Sequence, residues 1–243
     1  IFGPDAKALL SSGDPVDDRK HREIFVAAFQ EKWRLEGTQP NQRTLAIGKE
    51  DWPFPVPLVK ARDGWRFDTA AGVEEVHFRR IGRNELKVIQ VCSTYVGAQR
   101  EYAGNGHDGK PAGLYAQKLA SDAGKQNGLY WKTEAKQRLS PLGDLAAQAT
   151  AEGYAREEGK RMPFHGYFFR VLTAQGKRAP GGAKDYVANG EMSGGFALVA
   201  WPAEYRNSGV MTFIVNQDGV VYEKDLGPAT PTSAVAMKKY NPD

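Results

Sequence analysis

The chain has 243 residues, of which 41% are hydrophobic, so it is long enough to bury an ordinary core and too apolar for a disordered protein. Its 33 lysines and arginines against 29 aspartates and glutamates give a formal net charge of +4, and the two signs are interspersed along the sequence. This pattern disfavours a nucleic-acid-binding protein, and no apolar run approaches the roughly 20 residues that a membrane-spanning helix needs.

The first well-defined helix is predicted to begin after Asp14, which supplies an N-cap oxygen, with Pro15 at the first helical position. Four apolar residues follow at spacings of one, three and four, which predicts a buried stripe on a helix that continues to about Leu35. These four residues are Phe25, Val26, Phe29 and Trp33.

From residue 44 the apolar period changes to two, which predicts strands at 44–48 and 65–68. Prolines at 53, 55 and 57 lie between them, and their missing N–H groups predict an edge strand or a polyproline-type strip. Trp52 and Phe54 lie on one face of this segment, either covering the core or forming a surface for a ligand or partner. The sequence leaves both alternatives open.

A long amphipathic helix ending at Ala103 is predicted to be the central element of the chain. We expect a turn over residues 68–72 and a kink or break at Gly82, followed by a helix about 30 Å long from Asn84. Cys92 lies within this helix and is predicted to be a small buried hydrophobe. As the one cysteine of the chain, it excludes an intrachain disulfide.

The glycine-rich stretch after this helix contains Asn105, His107 and Asp108, whose spacing is similar to that of the ligands in a calcium loop. Lys110 and Pro111 stand where further carboxylates would be wanted. Calcium is therefore a candidate ligand of this loop, and a structured loop without a metal is the alternative.

The remainder of the chain predicts a helix from Ser140 to about Glu157, followed by antiparallel strands at 165–172, 195–201, 210–215 and 220–224. A sheet of this kind has one face to bury, and the long helix carries the stripe that can cover it. We therefore predict an α+β protein in which the long helix lies across the C-terminal sheet.

The sequence contains no complete catalytic constellation. Its four histidines lie on different predicted elements, and neither a zinc motif nor a nucleophile elbow, dinucleotide fingerprint or P-loop is present. The best acid–base pair is His165 with Asp185 or Glu191, in the same predicted part of the chain. We expect a binding protein rather than an enzyme, with Trp201 joining Trp52 and Phe54 as exposed aromatic residues of the partner surface.

Several phrases spread over the whole chain resemble a bacterial family known as domain of unknown function 2950, among them LLSSGDPV, DWPFPVPLVK, GGFALVAWPAEY and SGVMTFIVNQDGVVYEKDLG. The resemblance implies an exported envelope protein, periplasmic or secreted, with a signal and a further helix ahead of residue 1. It also implies an acidic calcium-type loop, of which NGHDGKP here is a degenerate version.

Two looser resemblances concern the fold. The first 72 residues are predicted as helices followed by a small antiparallel sheet that ends in the strand DGWRFD, and this order resembles the cystatin-like fold of nuclear transport factor 2. Residues 84–227, with the phrases AQREYA, GYFFRV, GGFALVAWP and TFIVNQDGVVY, are similar to the globular heads of type IV pilins. We therefore predict two domains, residues 1–72 and residues 73–243. The leading hypothesis is a non-catalytic module that binds another envelope protein; the alternatives are a small-ligand-binding protein or hydrolytic enzyme, and a divalent-cation-binding protein.

Overall fold

The computed structural model describes residues 9–134, 139–154 and 162–242. Helix α1 (Pro15–Glu31) begins where the sequence predicts, because the Asp14 carboxylate accepts hydrogen bonds from the backbone N–H groups of Val16 and Asp17. The helix ends four residues earlier than Leu35. Lys32 is already extended, and the chain continues directly into strand β1 (Trp33–Glu36).

The predicted burial of the apolar stripe on α1 is wrong. Val26 is 50% exposed and Trp33 is 56% exposed, and Phe29 is also exposed. The sheet beside α1 is short and contacts the helix around Ala28, whose carbonyl accepts from Gly48 N–H at 3.1 Å. The aromatic residues of the stripe pack on one another instead, with the rings of Phe29 and Trp33 stacked at 5.7 Å.

The N-terminal sheet contains β1 and four further strands, β2 (Gln42–Ile47), β3 (Trp52–Pro53), β4 (Leu58–Ala61) and β5 (Gly64–Phe67). It is open and antiparallel, with the strand order β1-β2-β4-β5, and β3 pairs with β2 beside β4. Strand β3 lies in the proline-rich segment and pairs over only two residues, in agreement with the prediction of an edge strand.

Helix α2 (Thr69–Ala103) is the long central helix, with 35 residues. The predictions of a turn at 68–72 and of a break at Gly82 are both wrong. Asp68 caps the helix by accepting from Ala71 N–H, and Gly72 lies inside the first turns because only a residue without a side chain fits against Val56 there. A glycine inside a helix lowers the stability of that helix by about 1 kcal/mol relative to alanine, and the packing at the two ends of α2 outweighs this cost.

The C-terminal sheet has four strands, β6 (Tyr167–Leu172), β11 (Ala197–Pro202), β12 (Met211–Asn216) and β13 (Val221–Asp225). Their antiparallel order is β13-β12-β11-β6, and α2 packs across β11, β12 and β13 as predicted. Tyr95 of α2 is buried in this interface and donates a hydrogen bond to the carbonyl of Ala197 at 3.1 Å.

Shorter elements complete the C-terminal part. Helix α3 (Gly143–Ala151) begins two residues later than predicted, because the prediction placed Pro141 at its first helical position. No side chain caps this helix. The predicted end of this helix, at about Glu157, lies outside the described residues. The other short elements are β7 (Ala174–Gln175), β8 (Lys184–Asp185), β9 (Val187–Ala188), β10 (Glu191–Met192), a 3-10 turn (Gly227–Ala229) and α4 (Thr230–Ala236).

The architecture is therefore α+β, with two larger open antiparallel sheets, two short two-stranded ones (β7-β8 and β9-β10), and helix α2 contacting both parts of the chain. Over the described ranges, none of the helices combines the length and the apolar character that crossing a bilayer requires.

Candidate functional site

A groove of about 820 Å³ lies between α1, the first half of α2 and the end of β2 with the segment that follows it. We call it the N-terminal groove. Its walls are largely apolar. The apolar lining residues are Leu9 and Leu10, then Ile24, Phe25, Val26 and Ala28 of α1, Ile47, Trp52, Phe54 and Pro55 of the sheet region, and Val76 of α2.

The aromatic floor of the groove unites two features that the sequence shows separately. Phe25 of α1 packs against Phe54 with ring centroids 5.0 Å apart, and Trp52 packs edge-on against Phe54 at 6.3 Å. Trp52 is 44% exposed. The structure thus brings the predicted Trp52 and Phe54 surface together with the uncovered stripe of α1, and a contiguous exposed apolar surface of this kind is typical of a binding site.

One end of the groove is charged. The Asp17 carboxylate lies 3.1 Å from Nδ1 of His21 and 3.6 Å from a guanidinium nitrogen of Arg83. Burial opposes ionisation of Asp17, but the hydrogen bond from His21 and the positive charges of His21, Arg83 and Lys87 outweigh it and hold its pKa below the usual range. Asp17 is therefore a carboxylate at neutral pH.

Arginines of α2 line the same wall. The guanidinium of Arg79 lies over the Trp52 ring at 5.4 Å and pairs with Glu75 at 2.7 Å. Arg80 is buried, donates to the Leu9 carbonyl at 2.7 Å, and bonds to Asn207 in the C-terminal part. The groove is thus apolar along its length, and its rim carries both positive and negative side chains.

Beyond the charged end, Asp14 joins α1 to the C-terminal part. Its carboxylate accepts from the Tyr154 hydroxyl at 2.8 Å and from the Gly166 N–H at 2.9 Å, in addition to capping α1. Burial raises the pKa of Asp14, and these hydrogen bonds oppose that rise without cancelling it. His165 and Gly166 both have a positive φ, so Asp14 holds a left-handed turn in place.

His165 is 4% exposed and lies between Lys87 and Glu152. Its Nδ1 is 3.1 Å from Nζ of Lys87, and its Nε2 is 3.5 Å from Oε2 of Glu152. Burial, together with the charge of Lys87, lowers the pKa of His165 to about 4, so the ring is neutral at neutral pH. Burial also lowers the pKa of Lys87.

The structure does not bring His165 together with the acidic residues predicted for it. Asp185 lies exposed on β8, where it is paired with Ala174, and Glu191 forms an ion pair with Lys110 at 2.8 Å. The acidic partner is Glu152, which the sequence could not single out because it follows a different helix. The predicted pairing rested on closeness in sequence, and the tertiary fold separates these residues.

The loop residues predicted as calcium ligands have internal partners. The His107 ring stacks on Tyr102 at 4.0 Å and its two nitrogens contact Gln126 and the Tyr102 carbonyl, while Asp108 accepts from Gln126 N–H and Asn105 donates to the carbonyl of Glu101. Within the three described ranges, no three His, Cys, Asp or Glu side chains converge as a metal site would require. Calcium binding at this loop stays a prediction.

The surface role predicted for Trp201 must be corrected. Trp201 is 2% exposed, packs against Phe168, and has the Arg170 guanidinium over its ring. It lies on β11, which is central in the sheet and is covered by α2 on one side and α4 on the other. The continuous apolar run of this strand is the signal for burial on both faces.

A sequence model of the family described as "Protein of unknown function (DUF2950)" matches residues 1–243, the whole length of the chain. Comparison with curated proteins and comparison with solved structures each gave no match. The function must therefore be argued from the geometry of the groove and of the charged cluster beside it.

Proposed function

We propose that this chain, which belongs over its whole length to the DUF2950 family of proteins of unknown function, is a binding protein whose N-terminal groove holds an amphipathic helix of another protein. The proposal depends on one observation, the apolar surface that α1 and Trp52 leave exposed along the groove. Covering a fully exposed valine or isoleucine side chain contributes about 1.5–3 kcal/mol, and Ile24, Val26 and Trp52 each keep about half of their surface available for a partner to cover.

The dimensions of the groove favour a helix as its occupant. The lining of α1 extends from Asp17 to Glu31, which at 1.5 Å per residue is about 20 Å, the length of roughly 14 helical residues. Such a helix presents apolar side chains at spacings of three and four on one face and charged side chains on its flanks. Both features fit an apolar groove with a charged rim.

The charges on the rim favour a peptide over a lipid. The rim carries acidic Asp18, Glu31 and Glu50 together with basic Arg22, Lys49 and Arg79, and Lys49 pairs with Glu31 at 2.7 Å. A rim with charges of both signs complements a helix whose flanks also carry both signs, whereas a site for an anionic lipid needs positive charges alone. The apolar surface also continues past the groove in the stacked Phe29 and Trp33 pair, beyond the reach of a small molecule.

A place in the bacterial envelope is part of the proposal. What supports it is the sequence resemblance, which implies export to the periplasm or outside and thus a partner in the envelope. Determination of the N-terminus of the native protein by mass spectrometry, in each cell fraction, tests this part. Recovery of the protein only from the cytoplasm with an unprocessed N-terminus would refute it. The likeness of the C-terminal sheet and α2 to a pilin head, and of the first 72 residues to the cystatin-like fold, likewise stays a proposal.

A second candidate function is the binding of a small amphipathic ligand. The volume of about 820 Å³ lies within the range of 300–1,000 Å³ that is usual for ligand sites, and the charged end at Asp17, His21 and Arg83 would hold a polar head group.

Photo-crosslinking at Val26 separates these candidates. Val26 lines the groove and is 50% exposed; replaced by benzoylphenylalanine in the native host, it should attach to a segment of a single protein with apolar residues at spacings of three and four. Val220, which is 51% exposed and precedes β13, provides a matched control site away from the groove.

A synthetic peptide of the crosslinked segment should then bind the purified protein in calorimetry, and Ile24→Ser should weaken the affinity about tenfold. An adduct of lipid mass at Val26 would establish the second candidate and refute the first. Equal labelling at Val26 and Val220 would contradict both.

A further inference from the structure

We propose that two copies of this chain associate by pairing their β1 strands edge to edge and antiparallel, with Leu35 of each copy facing Leu35 of the other. The N-terminal sheet ends at β1, and no further strand among the residues that the structure describes pairs with the outer side of β1. An uncovered edge of this kind is a template for a strand from another molecule. Strand β1 lies outside the lining of the groove, so this inference is independent of the function proposed above.

The backbone of β1 has hydrogen-bonding groups left for a second strand. The carbonyl of Lys32 accepts from Gly48 N–H at 2.9 Å, so Lys32 turns its backbone groups toward β2, and successive residues of an antiparallel strand alternate in direction. The carbonyl of Leu45, which stands opposite Leu35 in β2, accepts from the proline-rich segment on its other side. Trp33 and Leu35 therefore direct their N–H and C=O groups to the open edge.

The side chains of β1 show that its apolar face lacks a cover. Trp33 is 56% exposed and Leu35 is 50% exposed. They stand opposite Ile47 and Leu45 in the ladder and therefore lie on the same face of the sheet as these two residues, which are buried. The apolar face of the sheet thus continues to β1 but is uncovered there, and a second copy paired at the edge would cover it.

The charges of β1 favour a second copy as the partner. A twofold axis between two identical antiparallel strands passes beside one residue, which then faces its own counterpart. With Leu35 at the axis, Arg34 of each copy stands opposite Glu36 of the other. Moving the axis to Arg34 or to Glu36 sets like charges directly opposite each other, which is destabilising. The charges therefore select the register centred on Leu35.

The neighbouring groups fit the same register. Leu35 exchanges N–H and C=O hydrogen bonds with its counterpart, because its backbone groups point outward. Trp33 comes opposite Gly37, which has no side chain to obstruct the indole ring. Within one copy Arg34 pairs with Glu36, but their side chains remain 53% and 42% exposed and can reach the other copy.

Analytical ultracentrifugation of the purified chain tests the proposal. An interface of two four-residue strands is small, so we expect a dimer of micromolar affinity, whose fraction rises between about 1 µM and about 100 µM protein. Arg34→Glu and Glu36→Arg each set like charges opposite each other across the axis, and each should weaken association about tenfold. A wild-type chain that stays monomeric over this range would overturn the proposal.

Mixing the two variants separates an interface between copies from an effect within one chain. In the mixed dimer every cross-strand pair again joins opposite charges, while each chain keeps its own like-charged pair. Equimolar Arg34→Glu and Glu36→Arg chains should therefore associate about as tightly as the wild type, although neither does so alone.

Arg66→Glu, on the opposite edge strand β5, is the matched control and should leave the association unchanged. Thermal unfolding of each variant verifies that its fold is kept. Association of the single variants that equals that of the wild type, or mixed chains that do not recover it, would refute the pairing through β1.

Discussion

Asp14 caps α1 and also accepts hydrogen bonds from Tyr154 and Gly166, which lie 140 and 152 positions further along the chain. We expect Asp14→Ala to lower the free energy of unfolding by about 2–4 kcal/mol. The lost cap accounts for about 1 kcal/mol, and the unpaired Tyr154 hydroxyl and Gly166 N–H account for the rest. Urea denaturation measures this change.

Asp68→Ala provides the matched control for that experiment. Asp68 caps α2 through a single hydrogen bond from Ala71 N–H and lies near the surface. Its loss should cost only about 1 kcal/mol. Equal losses in the two variants would show that the long-range bonds of Asp14 contribute nothing to stability.

His165 should make the protein less stable in acid. Its pKa is about 4 in the folded protein and about 6.5 when unfolded, so the unfolded chain binds a proton first as the pH falls. The stabilising contribution of the neutral ring is complete above pH 6.5 and is lost between about pH 6.5 and pH 4. The charged groups that face the ring are Lys87 of α2, Asp17 and Lys20 of α1, and Glu152.

The variant His165→Asn isolates this titration, because asparagine tolerates the left-handed backbone but does not titrate. Between pH 7 and pH 4 the wild type should lose on the order of 2 kcal/mol more unfolding free energy than the variant does. Parallel stability curves over this interval would contradict a buried neutral His165.

Two glycines of α2 test how that helix joins the N-terminal sheet. A methyl group at Gly72 would come within 2.7 Å of Val56 Cγ2 and 2.8 Å of its Cα, so we expect Gly72→Ala to cost about 1–3 kcal/mol. Gly82 has no atom within 4 Å of that position, and Gly82→Ala should stabilise the helix by about 0.5–1 kcal/mol. Thermal unfolding of the two variants gives the comparison, and effects of the same sign would contradict this packing.

The same two glycines show what could be predicted from the sequence. Periodicity located α2, the C-terminal strands and the packing between them, because these depend on local patterns and on one long apolar stripe. Gly72 and Gly82 suggested interruptions because glycine weakens isolated helices, and only the contact with Val56 explains why Gly72 is tolerated within α2. Helix boundaries set by tertiary contacts are not encoded in local spacing.

The candidate site was predictable in part. The alternation around Trp52 and Phe54 indicated a shared face, and the stripe on α1 was visible. An apolar stripe on a helix indicates a surface that must be covered. It does not show, however, whether the same chain or another molecule covers that surface. The contact between Lys87 and His165 spans 78 positions, which no motif spacing anticipates.

At the scale of the whole molecule, the two sheets are connected by more than α2. Arg80 bonds to Leu9 and to Asn207, and Asp14 bonds to Gly166, so backbone near the N-terminus is tied directly to the loops of the C-terminal sheet. The division into residues 1–72 and 73–243 stays a prediction. These ties argue for one cooperative unit instead, since either part would leave buried polar groups unpaired if it unfolded alone.

Native-state hydrogen exchange of the Gly72→Ala protein decides between these views. The substitution lies at the contact between α2 and the N-terminal sheet. In a cooperative molecule it nevertheless lowers the protection of every amide that exchanges only through global unfolding. The slowest amides of β2 and of β11 should then lose the same protection, about 1–3 kcal/mol, and Gly82→Ala should raise both together. Loss confined to β2 and β4, with β11 unchanged, would establish the N-terminal part as a domain that opens independently.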